Sequence, residues 1–165
     1  LRFRLLYRRF QDDWFNKYRW NLFKPLTDQD AHHADTIHIP VTNDLNEFDT
    51  QILSLTKLLI DSLNDVELKS AIKESLPENT KSISKLELFL KQEQVMDCDS
   101  HIDFLRKLQK IRSKSSAHRK SSDYEKEMIK LDIDINYPSI GFAKILDNAI
   151  KFLNDLRDHF ISKSR

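Results

Sequence analysis

The chain of 165 residues contains a single glycine, Gly141. Average usage would give roughly 12 glycines in a chain of this length. Dinucleotide-binding and P-loop motifs need several glycines, because backbone N–H groups must come close to a phosphate, so both motifs are excluded. Tight hairpin turns also favour glycine, because they need positive φ angles. The shortage argues against a many-stranded β-fold and predicts an all-α protein.

Cysteine and long apolar runs are also scarce. The one cysteine, Cys98, excludes an internal disulfide and a multi-cysteine zinc site, and it suits a reducing compartment. Cys98 lies between Asp97 and Asp99, whose carboxylates disfavour the reactive thiolate. No run approaches the length of about 18 apolar residues that predicts a membrane span. We therefore expect a cytoplasmic protein without a membrane contact.

What the sequence does contain is helical periodicity. Hydrophobic residues make up 39% of the chain and recur at i, i+3, i+4 and i+7. The predicted helices cover residues 2–19, 44–64, 66–76, 79–92, 100–114 and 139–161, with a further helical turn within 124–131. The short connections between the four long helices after residue 43 favour antiparallel neighbours. We predict an up-and-down antiparallel four-helix bundle with an extra N-terminal helix.

Residues 20–43 interrupt the helical pattern with Pro25 and Pro40 and are predicted to form an irregular connector. We divide the chain into residues 1–43, the N-terminal helix and connector, and residues 44–165, the bundle. Because the chain begins at Leu1 with a charged aromatic helix, we expect a larger protein in which residues 1–43 follow an upstream domain. Residues 130–138 alternate apolar and polar side chains, which predicts a short extended segment.

The charge is nearly balanced overall, with a net charge of +1, but it is unevenly distributed. Between Phe104 and Ser122 the chain has no acidic residue and one histidine. The seven basic residues of this stretch are Arg106, Lys107, Lys110, Arg112, Lys114, Arg119 and Lys120. A cationic stretch that follows an amphipathic helix is the part of the sequence best suited to contact phosphate groups.

Within this stretch, Arg112 is followed after five residues by His118. Together with the leucine-rich helix before it, this spacing resembles the HEPN superfamily (higher eukaryotes and prokaryotes nucleotide-binding domains). Its mark is an arginine, four to six residues and a histidine, late in a four-helix bundle. The resemblance covers about residues 44–161. It implies a metal-independent, cofactor-free endoribonuclease, usually a homodimer with one composite cleft, such as a toxin or effector of a prokaryotic defence system.

The resemblance also implies roles for individual residues. RNA supplies its own 2′-OH nucleophile. His118, with a side-chain pKa near neutrality, would transfer protons, and Arg112 would clamp the phosphate as charge develops on it. Ser113 occupies the position after the arginine, where active members usually carry Asn, Asp or His. The expected nucleic-acid contacts are Lys110, Ser113, Lys114, Arg119 and Lys120.

The spacing of the pair sets a geometric requirement. Six positions on an ideal helix amount to roughly 600°, which leaves the two side chains about 120° apart. Arg112 and His118 therefore meet at one phosphate only where the helix ends between them or a second subunit completes the site. No glycine separates them, so the serines at 113, 115 and 116 would have to end the helix.

The alternative is a non-catalytic dimerisation or interaction module forming the C-terminal part of a larger protein. Arg112 would then pair with an acid of the last helix, such as Asp147 or Asp155, and His118 would cap a helix C-terminus.

Two other groups of residues have the chemistry for a site but favour a structural role. The connector contains four residues of types that bind metals, His32, His33, Asp35 and His38. Because no predicted helix fixes their geometry, we predict no metal site there. The aromatic residues of the N-terminal region could stack on single-stranded nucleic acid beside its arginines, but packing on the bundle explains them more simply. These residues are Trp14, Tyr18, Trp20 and Phe23, with Arg2, Arg4, Arg8, Arg9 and Arg19.

Overall fold

A computed structural model describes residues 2–115 and 122–162, and within these ranges the protein is all-helical. The helices are α1 (Arg2–Tyr18), α2 (His32–Thr36), α3 (Leu45–Thr56), α4 (Asp65–Ala71), α5 (Ser82–Gln92), α6 (Cys98–Ser115), α7 (Ser122–Lys130) and α8 (Pro138–Arg157). Helices α3 and α8 each continue into a π-helical turn, at Lys57–Asp61 and Asp158–Ser162 respectively. The predicted all-α class is confirmed for the described residues.

The long helices form near their predicted positions, since each has a buried apolar stripe. Asp44 caps α3, its side chain accepting a hydrogen bond from the Asn46 N–H at 2.9 Å. Two predictions were wrong. The connector is not irregular throughout, because it contains α2. Residues 130–138 form turns in place of an extended segment, since the Asp132 and Ile133 N–H groups bond back to the end of α7.

Helix α1 packs against α8 through a stripe that is fully or almost fully buried. This stripe consists of Phe3, Tyr7, Phe10 and Trp14. The Trp14 ring lies 5.1 Å from the ring of Phe160 in the terminal π turn. Burying one such side chain stabilises a fold by about 1.5–3 kcal/mol. The N-terminal helix therefore belongs to the same hydrophobic core as the helices after residue 43.

The connector is also fastened to the rest of the chain. The Lys24 N–H donates to the Ser62 carbonyl at 2.6 Å, and the Asn64 N–H donates to the Leu22 carbonyl at 2.9 Å. These bonds hold the segment that follows the π turn of α3. The connector thus helps to fix where α3 ends.

Helix ends that usually need glycine are made here by other residues. Gln94 after α5 and Asp132 after α7 both have φ of 57°. In each case the next residue's N–H bonds back five positions, Val95 to Leu90 and Ile133 to Met128, which closes a Schellman motif. A non-glycine residue in this left-handed conformation costs about 1–2 kcal/mol. The fold therefore accepts strained helix ends where a glycine would relieve them.

The single glycine serves packing, because it lies inside α8 and its φ is not positive. A Cβ added to Gly141 would overlap the Ile133 side chain, with Ile133 Cγ1 at 2.9 Å and Ile133 Cβ at 3.0 Å. Ile133 is buried and β-branched, so its χ1 rotamer has little freedom to move away. Gly141 lets the turn after α7 lie directly on α8.

We predict that Gly141→Ala destabilises the protein by about 1–3 kcal/mol, because overpacking outweighs the gain of about 1 kcal/mol from better helix propensity. Urea unfolding followed by tryptophan fluorescence measures the change. The Gly141→Ala/Ile133→Ala double variant should lose less stability than the two single losses added together. A Gly141→Ala variant as stable as the wild type would show that the close approach of Ile133 is unimportant.

Glu47 organises the entry to α3. Its carboxylate accepts hydrogen bonds from the Val41 N–H at 2.9 Å, the Thr42 N–H at 3.1 Å and the Thr42 hydroxyl at 2.8 Å. These bonds favour the charged carboxylate and lower the pKa of Glu47 to about 2. The same carboxylate lies 3.3 Å from His38 Nε2. Glu47 thereby ties the connector to the first turn of α3.

The depressed pKa predicts an acid-sensitive contribution to stability. The unfolded-state pKa of Glu47 is near 4.5, so its contribution is complete above that pH and is lost as the pH falls towards 2. Glu47→Gln should therefore flatten the decline of unfolding free energy between pH 5 and pH 2. The control Glu78→Gln changes an exposed glutamate in the turn before α5 and should keep the wild-type slope. Identical slopes in all three proteins would contradict the role given to Glu47.

Candidate nucleic-acid interface

Helix α6 separates its side chains into two faces. One face carries the buried residues His101, Phe104, Leu105, Leu108, Ile111 and Ser115 and contacts α3, α5 and α7. The other carries Arg106, Gln109, Lys110 and Ser113, which recur at i, i+3, i+4 and i+7 and so lie on one side of the helix. Burial of the apolar face thus presents a polar stripe along the outside of α6.

This stripe borders a cleft of about 790 Å³ between α3, α6 and the start of α5. Its described lining consists of Asp49, Thr50, Leu53, Lys81, Gln109, Lys110, Arg112, Ser113 and Ser115. Most of these side chains end in charged or polar groups. The cleft therefore suits a polar ligand better than an apolar one.

Arg112 is held at the cleft by an acid from another helix. Its Nη1 lies 3.0 Å from each carboxylate oxygen of Asp61, and both side chains are 33% exposed. Asp61 is the last residue of the π turn, which displaces the end of α3 from regular helical register. A half-exposed ion pair contributes at most about 1 kcal/mol to stability. The main effect of the pair is therefore to orient the Arg112 side chain. Only Nη1 contacts Asp61, so Nε and Nη2 are left as further donors.

The π turn has its own internal support. The Leu58 carbonyl accepts hydrogen bonds from the Ser62 hydroxyl at 2.6 Å and from the buried Tyr7 hydroxyl at 3.3 Å. The Ser62 N–H bonds back to the Lys57 carbonyl at 3.1 Å, a span of five residues. Side chains from α1 and from the turn itself therefore stabilise the geometry that presents Asp61.

The wall of the cleft on the α3 side includes a buried carboxylate. Asp49 is 7% exposed, and its Oδ1 accepts a hydrogen bond from the Tyr124 hydroxyl at 2.7 Å. Tyr124 is fully buried on α7, so this bond joins α7 to α3 beneath the cleft. A buried carboxylate is costly unless hydrogen bonds satisfy it. Asp49 and Tyr124 together fix the position of α7 beside the cleft.

Two cations of the cleft are available to a ligand. Lys81 and Lys110 are exposed and line the cleft, and neither has an ion-pair partner among residues 2–115 and 122–162. Arg112, by contrast, shares one nitrogen with Asp61. The cleft therefore combines one oriented guanidinium with two ammonium groups whose charge is not neutralised by a described acid.

The residues expected from the sequence divide into three groups. Lys110, Arg112 and Ser113 line the cleft, although the Ser113 hydroxyl donates to the Lys110 carbonyl at 2.7 Å. Lys114 is outside the lining and lies 3.6 Å from Asp123 of α7. His118, Arg119 and Lys120 lie outside the described residues. Helix α6 continues at least to Ser115, and the meeting of Arg112 with His118 stays a prediction.

Arg112 was predicted to pair with an acid of the last helix, and this prediction was wrong, because its partner is Asp61. Asp155 of α8 instead lies 2.9 Å from Nε2 of His101 and 2.7 Å from Nζ of Lys151. Burial lowers the pKa of His101, while the charge of Asp155 opposes that shift. His101 is thus a core histidine that ties α6 to α8, and Arg112 is left to Asp61.

Sequence reasoning did not identify Asp49 and Lys81 of the cleft lining, or Asp61, the ion-pair partner of Arg112. Asp49 had a signal, because it follows Phe48 on the predicted apolar face of α3, where a carboxylate is unexpected. Asp61 had none, since a π turn departs from the helical period. Lys81 had none either, because only the tertiary fold brings the start of α5 to α6.

The histidines of the connector take structural roles. Nδ1 of His33 lies 2.8 Å from the Ser54 hydroxyl, and the residue is buried at 7% exposure. Burial lowers the pKa of His33, which keeps the ring neutral. Nδ1 of His38 lies 2.6 Å from the Thr36 carbonyl. Across the part of the chain that the structure describes, no group of three or more His, Cys, Asp or Glu side chains is arranged to hold a metal ion.

The four aromatic residues that were grouped with the N-terminal arginines are buried in the core or packed against it. Trp14 and Phe23 are fully buried, and Tyr18 donates a hydrogen bond to the Phe160 carbonyl at 2.9 Å. Two arginines that were grouped with them contact the connector: Arg4 donates to the Ile37 carbonyl at 2.7 Å, and Arg8 pairs with Asp35. Trp14 and Phe23 therefore belong to the core, where they cannot stack on nucleic-acid bases.

Comparisons with known proteins found no relative of this chain. No family model, no curated protein and no solved structure matches the chain. None of the described helices has the length and apolar character needed to cross a membrane. The side chains of the cleft are therefore the basis for proposing a function.

We predict that Tyr124→Phe destabilises the protein by about 1–3 kcal/mol, because it removes a donor from the buried Asp49 carboxylate. Chemical unfolding measures the loss. Tyr137→Phe is the matched control, since Tyr137 is 54% exposed and its change should shift stability by less than about 0.5 kcal/mol. Equal stabilities of the Tyr124 variant and the wild type would refute the tie between α7 and α3.

Proposed function

We propose that the chain is a HEPN-like domain that binds RNA at the cleft between α3, α5 and α6 and cleaves it without a metal ion. The observation that carries the proposal is the position of Arg112: half-exposed, oriented by Asp61, and in one cleft with the unneutralised Lys81 and Lys110. Three cationic side chains around one cleft suit a phosphate-containing ligand. The chain order of the long helices α3, α5, α6 and α8 and the Arg112…His118 spacing support the HEPN-like assignment.

In this proposal, Arg112 binds the scissile phosphate through the donors that Asp61 leaves unused. A fixed guanidinium stabilises the negative charge that develops as the 2′-OH attacks phosphorus. Lys110 and Lys81 hold neighbouring phosphates. His118, alone or from the second subunit of a homodimer, accepts the 2′-OH proton, since imidazole exchanges protons near neutral pH. The P–O5′ bond then breaks, and the leaving 5′-oxygen takes a proton from the imidazolium, which leaves a 2′,3′-cyclic phosphate and a 5′-OH.

A second candidate function is an interaction module, and one exposed apolar patch favours it. Ile129, Tyr137 and Ile140 are 65%, 54% and 60% exposed and surround a hollow of about 400 Å³ between α7 and α8. Exposed apolar residues that cluster in this way mark contact sites more often than isolated ones do. Among the residues that the structure describes, this patch and the cleft have no lining residue in common, so the two functions are compatible.

The test is incubation of the purified protein with end-labelled single-stranded RNA in EDTA. We expect wild-type cleavage, and we expect Arg112→Ala and His118→Ala each to reduce the rate at least about 100-fold, since each removes transition-state stabilisation or proton transfer. Arg157→Ala is the matched control, because Arg157 forms a comparable ion pair with Asp13 at 3.1 Å away from the cleft. It should cleave at the wild-type rate.

The outcomes separate the candidates. Cleavage that persists in both Arg112→Ala and His118→Ala would remove the assignment. RNA binding without cleavage, lost in Arg112→Ala, would favour a non-catalytic RNA-binding module. A 2′-deoxy substitution at the cleaved position should block the reaction, because the nucleophile is then missing.

A further inference from the structure

We propose that the cleft is one end of a longer track for a single RNA strand, and that Lys81 and Arg106 bind a second stretch of its backbone. The proposal rests on the proposed function and names the form of its substrate. The observation behind it is a second cleft of about 560 Å³ on the same side of α6. Its described lining consists of Ile60, Asp61, Asp65, Lys81, Ser82, Ile83, Ser84, Arg106 and Gln109.

The two clefts are neighbours along α6. Lys81 and Gln109 line both, so the clefts meet at this pair. Arg106 lies in the second cleft, and Arg112 lies in the first, six residues further along the helix. Six residues correspond to a rise of about 9 Å along the helix axis. A stacked nucleic-acid strand rises about 3.4 Å per nucleotide. Because six residues also rotate the two side chains by about 120° around the axis, a strand that crosses α6 obliquely would contact the two arginines at phosphates at least about three nucleotides apart.

In the second cleft, Lys81 and part of the Arg106 guanidinium are available to a ligand. Asp65 lies 3.5 Å from Lys85 and accepts a hydrogen bond from Ser82 at 3.2 Å, while Asp61 belongs to Arg112. Arg106 is 47% exposed and binds Glu87 through Nη2 at 2.5 Å, which leaves its other donors. Lys81, where the two clefts meet, has no acidic ion-pair partner among the described residues. The two acids of this cleft thus have cationic partners of their own.

The shape and chemistry of the clefts select a single strand bound by its backbone. Each cleft has the volume of a site for one small ligand, so together they hold a few nucleotides of one strand. The described lining contains no aromatic side chain on which a base could stack. Contacts to phosphate carry no sequence information. We therefore expect binding that depends on strand length and salt but little on base sequence.

The test measures binding of fluorescent 2′-O-methyl oligouridylates, which lack the free 2′-OH and are not cleaved. Arg106→Ala should weaken binding of a 12-mer about fivefold and leave binding of a dimer unchanged, whereas Lys81→Ala should weaken binding of both lengths because Lys81 lines both clefts. Each variant should also reduce the slope of log affinity against log salt by about 0.7, the value for one phosphate contact on a single strand. Arg112→Ala should weaken binding of both lengths.

Two controls keep the result interpretable. Lys73→Ala removes an exposed lysine that lines neither cleft and should bind as the wild type does. Arg106→Lys keeps the charge and should restore most of the affinity. Circular dichroism and urea unfolding confirm that each variant is folded.

Three results would overturn the track. If Arg106→Ala binds the 12-mer as the wild type does while Lys81→Ala and Arg112→Ala lose binding, the track is removed and the proposed function stands. A wild type that binds neither oligonucleotide removes both proposals. Competition by polyglutamate as effective as that by RNA would show a general site for acidic polymers and removes the choice of nucleic acid.

Discussion

The arrangement of the candidate site depends on the burial of the apolar face of α6. Leu105, Leu108 and Ile111 are fully buried and fix the rotation of the helix against α3, α5 and α7. Because this face is buried, the polar side chains between Arg106 and Ser113 lie on the exposed side of α6. The polar stripe of α6 is thus a consequence of core packing. Burial of one large apolar side chain, about 1.5–3 kcal/mol, exceeds the worth of a surface ion pair, so packing sets the direction in which the charges face.

Several levels of this structure could be predicted from the sequence, and others could not. The long helices were predictable, because residues such as Phe48, Ile52 and Leu55 repeat at the helical period and Asp44 has the side chain of an N-cap. Arg112 and Lys110 were predictable as cleft residues from their place in an acid-free stretch. Asp61 was not, because its position depends on a π turn held by Tyr7 from the distant helix α1. Such a tertiary contact leaves no periodic signal in the chain.

The two wrong predictions of local structure have a common cause. In residues 130–138 the alternation of apolar and polar side chains resembles a strand, but a strand needs a partner for its backbone groups. Here Ile133 and Asp132 bond back to α7, and Gly141 allows Ile133 to pack on α8. In the connector, α2 is five residues long and places His33 against Ser54. Both segments are shaped by what they pack against.

The scarcity of glycine also affects how the proposed site would bind phosphate. A glycine loop binds phosphate through backbone N–H groups, whose positions are fixed by the main chain. In the proposed function, phosphate is bound by side chains, which lose conformational freedom when they bind. Asp61 reduces that cost for Arg112 by holding the guanidinium in place before a ligand arrives. Lys81 and Lys110 have no such support among the described residues, so they add charge more than geometry. In the proposed site, Arg112 would therefore fix where a phosphate binds, and Lys81 and Lys110 would determine how strongly salt competes with it.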